Sequence, residues 1–487
     1  MTAPSVDKTR PGIHLHLGGQ RRARGSAGVH EHVDPTTGKV DAEVPLAGAA
    51  EIDEAVAAAQ EAFLQWRATR PAQRRQLLTS LAELLERNAD ELARRGALDN
   101  GTPLSVVATM VPLAAEWTRY YAGWPDKLTG EVTTSYENHG EFSYTLPQPY
   151  GVIGMIITWN APLLSLAMKI PAALAAGNTV VVKPSELTPF TGELFAELVS
   201  EAGIPAGVVN ILPGGADAGV RLVEHPDVQK ISFTGGPETA RKILVGAAER
   251  MKPVVLELGG KSANLIFEDA DIKAACGLGT FMSVGNLSGQ GCVLPTRMIV
   301  HESLYDEAVE RVAKTAQRIP VGDPFDPATM AGPVVSQAAL ERILGMIERA
   351  KQDGARLVTG GGRLDGPLAD GFYVQPTVFA DVDPQSELAQ QEVFGPVLAM
   401  TSFATDEEAV AIANATPYGL SGYIQTKDLQ RAHRVAEAMV TGEVLINGAA
   451  NLSVHRPFGG FGISGIGKEG GRAGIEEFLR VKSVAIA

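Results

Sequence analysis

Cys292 lies in "GNLSGQGCVLPTR" (285–297), among glycines and polar residues, and is one of 2 cysteines in 487 residues. A free cysteine ordinarily behaves as a small buried hydrophobe, and Cys276 in "KAACGLG" fits that description. Cys292 does not. The glycines at 285, 289 and 291 let backbone amides approach a reacting group closely, which marks the thiol as a candidate nucleophile. An unperturbed thiol is a poor nucleophile at neutral pH, so it gains from a nearby base, a cation or amide dipoles. Attack on a carbonyl also needs donors for the oxyanion that forms. "IITWNAP" offers Asn160 directly behind an apolar run, and "VVLELGGKS" offers Glu257 inside one. A carboxylate buried there has its pKa raised toward the range of a general base. The same placement is also that of a salt-bridged core residue.

These groups need a scaffold, and the chain's periodicities supply one. "AEIDEAVAAAQEAFLQW" spaces Ile52, Val56, Ala59, Phe63 and Trp66 as one helical face, and the next helix does so with Leu77, Leu78, Leu81, Leu84 and Leu85. From about 150 to 270, β-branched runs recur at "GVIGMIIT", "TVVVK", "VVNIL", "QKISF" and "VVLEL", with amphipathic stretches such as "PFTGELFAELVSEAG" between most of them. Strands alternating with helices predict βαβ units and a mostly parallel sheet, with ligands bound at the strands' carboxyl ends. Asn160 and Glu257 both stand at such ends. Beyond 260 the pattern is again mixed, with helices expected near 303–318, 336–352 and 428–440. "TGEVTTSYENHGEFSYTLPQP" reads as a hairpin outside the main sheet, turning at "ENHG".

The length calls for two or three domains. A formal charge of −14 argues against nucleic acid and anionic membrane as partners. Two cysteines build no disulfide framework, the N-terminus lacks an apolar signal core, and "YGVIGMIITWNAPLLSLAM" is broken by Asn160 and Pro162, so it reads as core rather than a span. A cytoplasmic protein is expected. Several motifs mislead. "GFGISG" and "GIGKEG" both fit the dinucleotide fingerprint, but neither follows a convincing strand in a βαβ unit. A P-loop is nearly met twice, yet Glu469 replaces the magnesium-binding hydroxyl in one copy and Val255 the first glycine in the other. His14, His16, His30 and His32 cluster without further zinc partners, which favours solvated or strand-paired histidines and no metal site.

Taken together, "TWN", "VVKPSE", "FTGG", "LELGGKS", "GQGC", "EVFGPV" and the terminal glycine-rich block occur in an order and spacing that resemble the NAD(P)-dependent aldehyde dehydrogenases, from "VDPTTGKV" to "PFGGFGISGIGKEGG". The resemblance implies an α/β fold: a Rossmann-like parallel-sheet cofactor domain, an α/β catalytic domain and a small β oligomerisation element. It places the NAD-binding domain at 8–126 and 147–258, the catalytic domain at 259–460, and the oligomerisation element at 128–146 and 474–487. That last element would pair across subunits, giving a homodimer or homotetramer.

It also implies roles. Cys292 would attack the aldehyde, Asn160 and the Cys292 N–H would hold the oxyanion, and Glu257 would activate the water that hydrolyses a thioester. The glycines around Cys292 would then admit the reacting carbon between sulfur and nicotinamide. Lys169 and Glu469 match residues that assist proton movement from Glu257, and a helix-surface or ion-pair role suits them equally. Ile157, Thr158, Trp159, Lys183, Glu186, Thr234, Gly235, Glu392 and Phe394 match cofactor contacts. A glutamate at 186 accepting both ribose hydroxyls repels a 2′-phosphate, so NAD is expected ahead of NADP. Gly236-Pro237 departs from many relatives, which carry a serine there, although proline is well tolerated in a first helical turn. Leu164, Ser165, Met168, Asn286, Val293, Leu452, Asn447 and Phe458 fall near the substrate, Phe458 serving equally as core. With no Arg, Lys or aromatic cage in the tunnel set, a neutral, fairly apolar aldehyde is expected. The alternatives are a coenzyme A-acylating relative, a non-enzymatic binding protein on the same fold, and a cofactor-free cysteine hydrolase.

Overall fold

A computed structural model describes residues 7–133, 141–449 and 451–486. All five β-branched runs form strands of one sheet: β1 (Val152–Ile156), β2 (Thr179–Lys183), β3 (Val209–Ile211), β4 (Val228–Thr234) and β5 (Val254–Glu257). They are parallel and lie in the order β3-β2-β1-β4-β5. Each residue of β1 and β2 is buried, as expected for a parallel sheet covered on both faces. Short antiparallel strands extend both edges, Leu15–Leu17 with Gln20–Arg22 on one side and Gly465–Ile466 on the other. The strand order reverses between β1 and β4, so a crevice opens at their carboxyl ends, where a doubly wound sheet receives its ligand. The residues leaving that crevice are Thr158-Trp159-Asn160 after β1 and Gly235 after β4.

Helix α1 (Ala49–Trp66) buries the face read from its spacing, with Ile52, Val56 and Ala59 fully buried. In α2 (Pro71–Arg87), Leu78, Leu81, Leu84 and Leu85 are buried and Leu77 only half so. Helix α3 (Leu104–Ala122) packs on α2 and on α4 (Pro162–Ala176). Pro162 opens α4, where a missing N–H costs nothing, and Gly177 closes it at φ 96°. Every residue of α4 is buried, so the apolar stretch read as core is a buried strand and a core helix. Among the described residues no helix is long and apolar enough to cross a membrane.

A second sheet of seven strands follows, in the order 356–359, 377–380, 397–403, 297–301, 263–266, 421–425, 443–446. It is parallel apart from its first strand. Helices Tyr305–Gln317, Gln337–Gln352 and Leu429–Ala438 lie where the spacing predicts them. The C-terminal strand Leu479–Ile486 pairs antiparallel with Phe142–Pro149. Its far edge is unpaired among the described residues and exposes Val481 and Ile486. The expected "ENHG" turn lies outside the described residues. Three of the four clustered histidines are held by carboxylates: His14 and His16 both bond Glu193 at 2.9 Å, and His32 bonds Asp41 at 2.5 Å.

Candidate active site

Asn160 is held from three sides. Its Oδ1 accepts from Thr158 Oγ1 at 3.0 Å, which turns Nδ2 toward the Gln290 carbonyl, a bond of 2.8 Å. Behind it, Asn100 Nδ2 donates to the Trp159 carbonyl at 3.0 Å. One Nδ2 hydrogen is thus committed two residues upstream of Cys292, and the other remains for a ligand. Asn100 and Gln290 in these positioning roles escape a linear reading, because they stand 60 and 130 residues from Asn160.

The loop before Cys292 is strained. Leu287 and Ser288 both have φ 51° and Gly289 has φ 72°. Left-handed non-glycine residues cost on the order of 1–3 kcal/mol each and persist only where the surroundings enforce them. Here Ser288 Oγ donates to the Gly332 carbonyl at 2.8 Å, and Gln290 Oε1 accepts from Val335 N at 3.0 Å. The glycines were expected to make room for a reacting group, but they make room for protein. A Cβ on Gly289 would stand 2.1 Å from the Gly395 oxygen, one on Gly285 2.7 Å from the Phe281 ring, and one on Gly291 2.9 Å from Leu294.

Cys292 is half-buried, whereas Cys276 is buried in the core. Burial pushes the Cys292 thiol up to about 12, and the Glu392 and Glu257 carboxylates push the same way. Attack by this sulfur therefore calls for help, and a proton acceptor within reach would supply it.

Glu257, at the end of β5, can be that acceptor. It is buried, and neither carboxylate oxygen has a hydrogen-bond partner among the described residues. Burial, then the negative charge of Glu469, raises it well above the ordinary carboxylate range. The core salt-bridge alternative thus lacks its partner. Gly459 allows the close fit, since a Cβ there would meet Glu257 Oε1 at 2.6 Å. Beside it, Lys169 and Glu469 form a buried ion pair, and Lys169 Nζ also donates to Ser232 Oγ at 3.0 Å. Of the alternatives for that pair, the helix-surface reading is excluded by burial.

Two cavities meet at these groups. One of about 540 Å³ is lined by Asn160, Leu164, Ser165, Met168, Glu257, Asn286, Cys292, Val293, Leu452, Phe458 and Glu469. A wall missed in the sequence comes from α3, where Val106, Thr109, Met110, Leu113 and Glu116 recur at helical spacing. The other, of about 830 Å³, shares Thr158, Asn160, Thr234, Glu257 and Cys292, and adds Trp159, Gly235, Glu392, Phe394 and Tyr418. The Trp159 and Phe394 rings meet edge to face at 5.3 Å. Glu392 accepts from Gly260 N at 2.9 Å, and burial raises it to about 7. Helix Pro237–Ala248 points its N-terminus at the same cavity, Pro237 sitting at the first turn. That end, open around Gly236, suits a pyrophosphate, so the lining fits a dinucleotide.

Five expected residues line neither cavity, Lys169 of the buried ion pair and four others. Ile157 is buried, its N–H on the Lys183 carbonyl. Lys183 Nζ donates to the carbonyls of Pro184 and Gly214, and Glu186 lies 3.8 Å from it at the end of β2. Asn447 spends its Oδ1 on Thr426 N.

A family description, "Aldehyde dehydrogenase family", matches residues 23–484. An aldehyde dehydrogenase of Aspergillus niger is 41% identical over 487 residues, covering 99% of this chain and 97% of its own. One from Emericella nidulans is 42% identical over 455 residues, covering 93% of this chain and 90% of its own. The solved NAD+ complex of an aldehyde dehydrogenase from Bacillus cereus superposes with TM-score 0.94 at 38% identity, covering 98% of this chain and 96% of that one. The betaine aldehyde dehydrogenase of Staphylococcus aureus, solved with NAD+, gives TM-score 0.94 at 33% identity, with 97% and 94% covered.

Proposed function

The chain belongs to the aldehyde dehydrogenase family, and from that premise we propose that it oxidises a neutral, apolar aldehyde to the free acid with NAD, through a thioester on Cys292. The observation that carries this reading is the meeting of two cavities at one thiol, one unpartnered carboxylate and one fixed carboxamide. Glu257 takes the thiol proton, and sulfur bonds to the carbonyl carbon. Asn160 Nδ2 and the Cys292 N–H hold the oxyanion, each such donor being worth about 10²–10³ in rate. Bound NAD supplies the acceptor for the hydride that leaves this carbon. Glu257 then draws a proton from water as the oxygen attacks the thioester, and the carbon–sulfur bond breaks to release the acid. The adjoining Lys169–Glu469 pair gives the Glu257 proton a way out. Trp159 and Phe394 would hold the nicotinamide and Glu392 its ribose hydroxyls.

The nucleotide end rests on Lys183 and Glu186. Replacing Glu186 by Gln is expected to narrow the preference for NAD over NADP by about tenfold, some 1.4 kcal/mol. Paired kcat/KM measurements with the two cofactors check this, and an unchanged ratio would remove Glu186 from the selection.

Among the described residues, the substrate cavity carries the carboxylates of Glu116, Glu257 and Glu469 and no basic side chain, which disfavours anionic aldehydes. Its one aromatic residue, Phe458, makes no cage for a quaternary ammonium. Glu116 stands half-exposed at the rim, 3.4 Å from His455. Glu116→Lys is expected to raise kcat/KM for a carboxylate-bearing aldehyde about two- to fivefold over a neutral one, as rim charges do. NADH formation across neutral, cationic and anionic aldehydes tests the substrate class, and a preference for betaine aldehyde or a semialdehyde carboxylate would overturn it. Added coenzyme A should yield no acyl thioester, because Glu257 is in place to direct water. The exposed edge at Leu479–Ile486 supports a homodimer or homotetramer, which sedimentation measures.

A further inference from the structure

Beside the 830 Å³ cavity, four buried polar atoms stand without partners. Lys261 Nζ, Ser262 Oγ, Ser421 Oγ and Thr441 Oγ1 have no hydrogen bond among the described residues. All four residues line one small, partly open space of about 10 Å³, room for a single small guest. They come from separate segments, the start of strand 263–266, the start of strand 421–425 and the turn after helix Leu429–Ala438. Arg297 lines the same space, and its guanidinium is spent on carbonyls, those of Lys261 at 2.8 Å, Ile412 at 2.9 Å and Ala413 at 2.7 Å. Two buried cations therefore face the space, and no described lining residue is a carboxylate.

We propose that this space is a binding site for one monovalent anion of halide size, held by Lys261 Nζ and the hydroxyls of Ser262, Ser421 and Thr441. An unpaired buried ammonium is costly, and three free hydroxyls beside it add to that cost. Burial and the Arg297 charge push the Lys261 ammonium down to about 7, so a companion anion is what keeps it charged. The nearest carboxylate influence is Glu392, whose Oε1 is already taken by Gly260 N. Sulfate and phosphate are too large for the space. The site adjoins the 830 Å³ cavity through Tyr418, which lines both, but Lys261, Ser421 and Thr441 line neither cavity at Cys292.

The test uses the intact protein. Crystals grown in sodium bromide should show an anomalous peak against Lys261 Nζ. In solution, sodium chloride should raise the melting midpoint saturably, by about 2–5 °C over sodium gluconate at matched ionic strength. Lys261→Met should abolish both signals. If that variant does not fold, Ser421→Val combined with Thr441→Val should weaken both while leaving turnover in place. A water at the site with no anomalous peak, or a chloride effect of equal size in the variants, would overturn the proposal.

Discussion

Cys292→Ala is expected to abolish aldehyde oxidation, lowering kcat by at least about 10⁴-fold, the scale seen when a nucleophile is removed from a unit whose parts act together. Cofactor affinity should survive, because Trp159, Glu392, Phe394 and the helix after Gly236 are untouched. Cys276 cannot substitute. It is buried beside Val284 and Met298 in another core cluster, and burial pushes its thiol up to about 12. Cys276→Ala should therefore keep full turnover and cost only packing. Steady-state rates and cofactor titrations on both variants check the pair, and activity retained in Cys292→Ala would remove the thiol from the chemistry.

Glu257→Gln has the next largest expected effect, about 10²–10⁴ in steady-state rate, the range of a positioned general base. Acylation and deacylation respond differently. The first turnover can proceed slowly once hydroxide or a fleeting thiolate serves, but hydrolysis of the thioester loses its base, so NADH should form in a stoichiometric burst and then stall. The pH profile carries the same information. Glu257 acts as its carboxylate, and its pKa is raised by burial, so the rate should climb with pH through a midpoint well above the ordinary carboxylate range. In Glu257→Gln that limb should vanish. A single limb near the usual carboxylate value in the unsubstituted enzyme would contradict the buried, unpartnered state.

Much of this was legible in one dimension. The five β-branched runs announced a parallel sheet because strands buried on both faces must be apolar throughout. The face of α1 announced its packing because 3.6-residue spacing survives any tertiary context. Asn160 and Glu257 were legible as polar residues at the ends of such strands. The α3 wall was not, because Val106, Met110 and Leu113 look like any core face until α4 leaves a gap beside them. Nor were Asn100 and Gln290, whose work is to hold Asn160 across 60 and 130 residues. The glycines near Cys292 were noticed for one reason and are needed for another. Glycine marks a close approach, and sequence does not say of what. The terminal glycine block fits a dinucleotide fingerprint in letters but not in context, and its neighbours Gly459 and Gly465 press against Glu257 and the Leu256 carbonyl.

The most direct test of the central claim is the intact mass of Glu257→Gln after mixing with NAD and a simple apolar aldehyde. A covalent acyl adduct on the peptide that contains Cys292, formed in step with one equivalent of NADH and absent from Cys276, is the predicted result. NADH formation with no adduct at any time, or an adduct elsewhere in the chain, would contradict the cysteine-bound route.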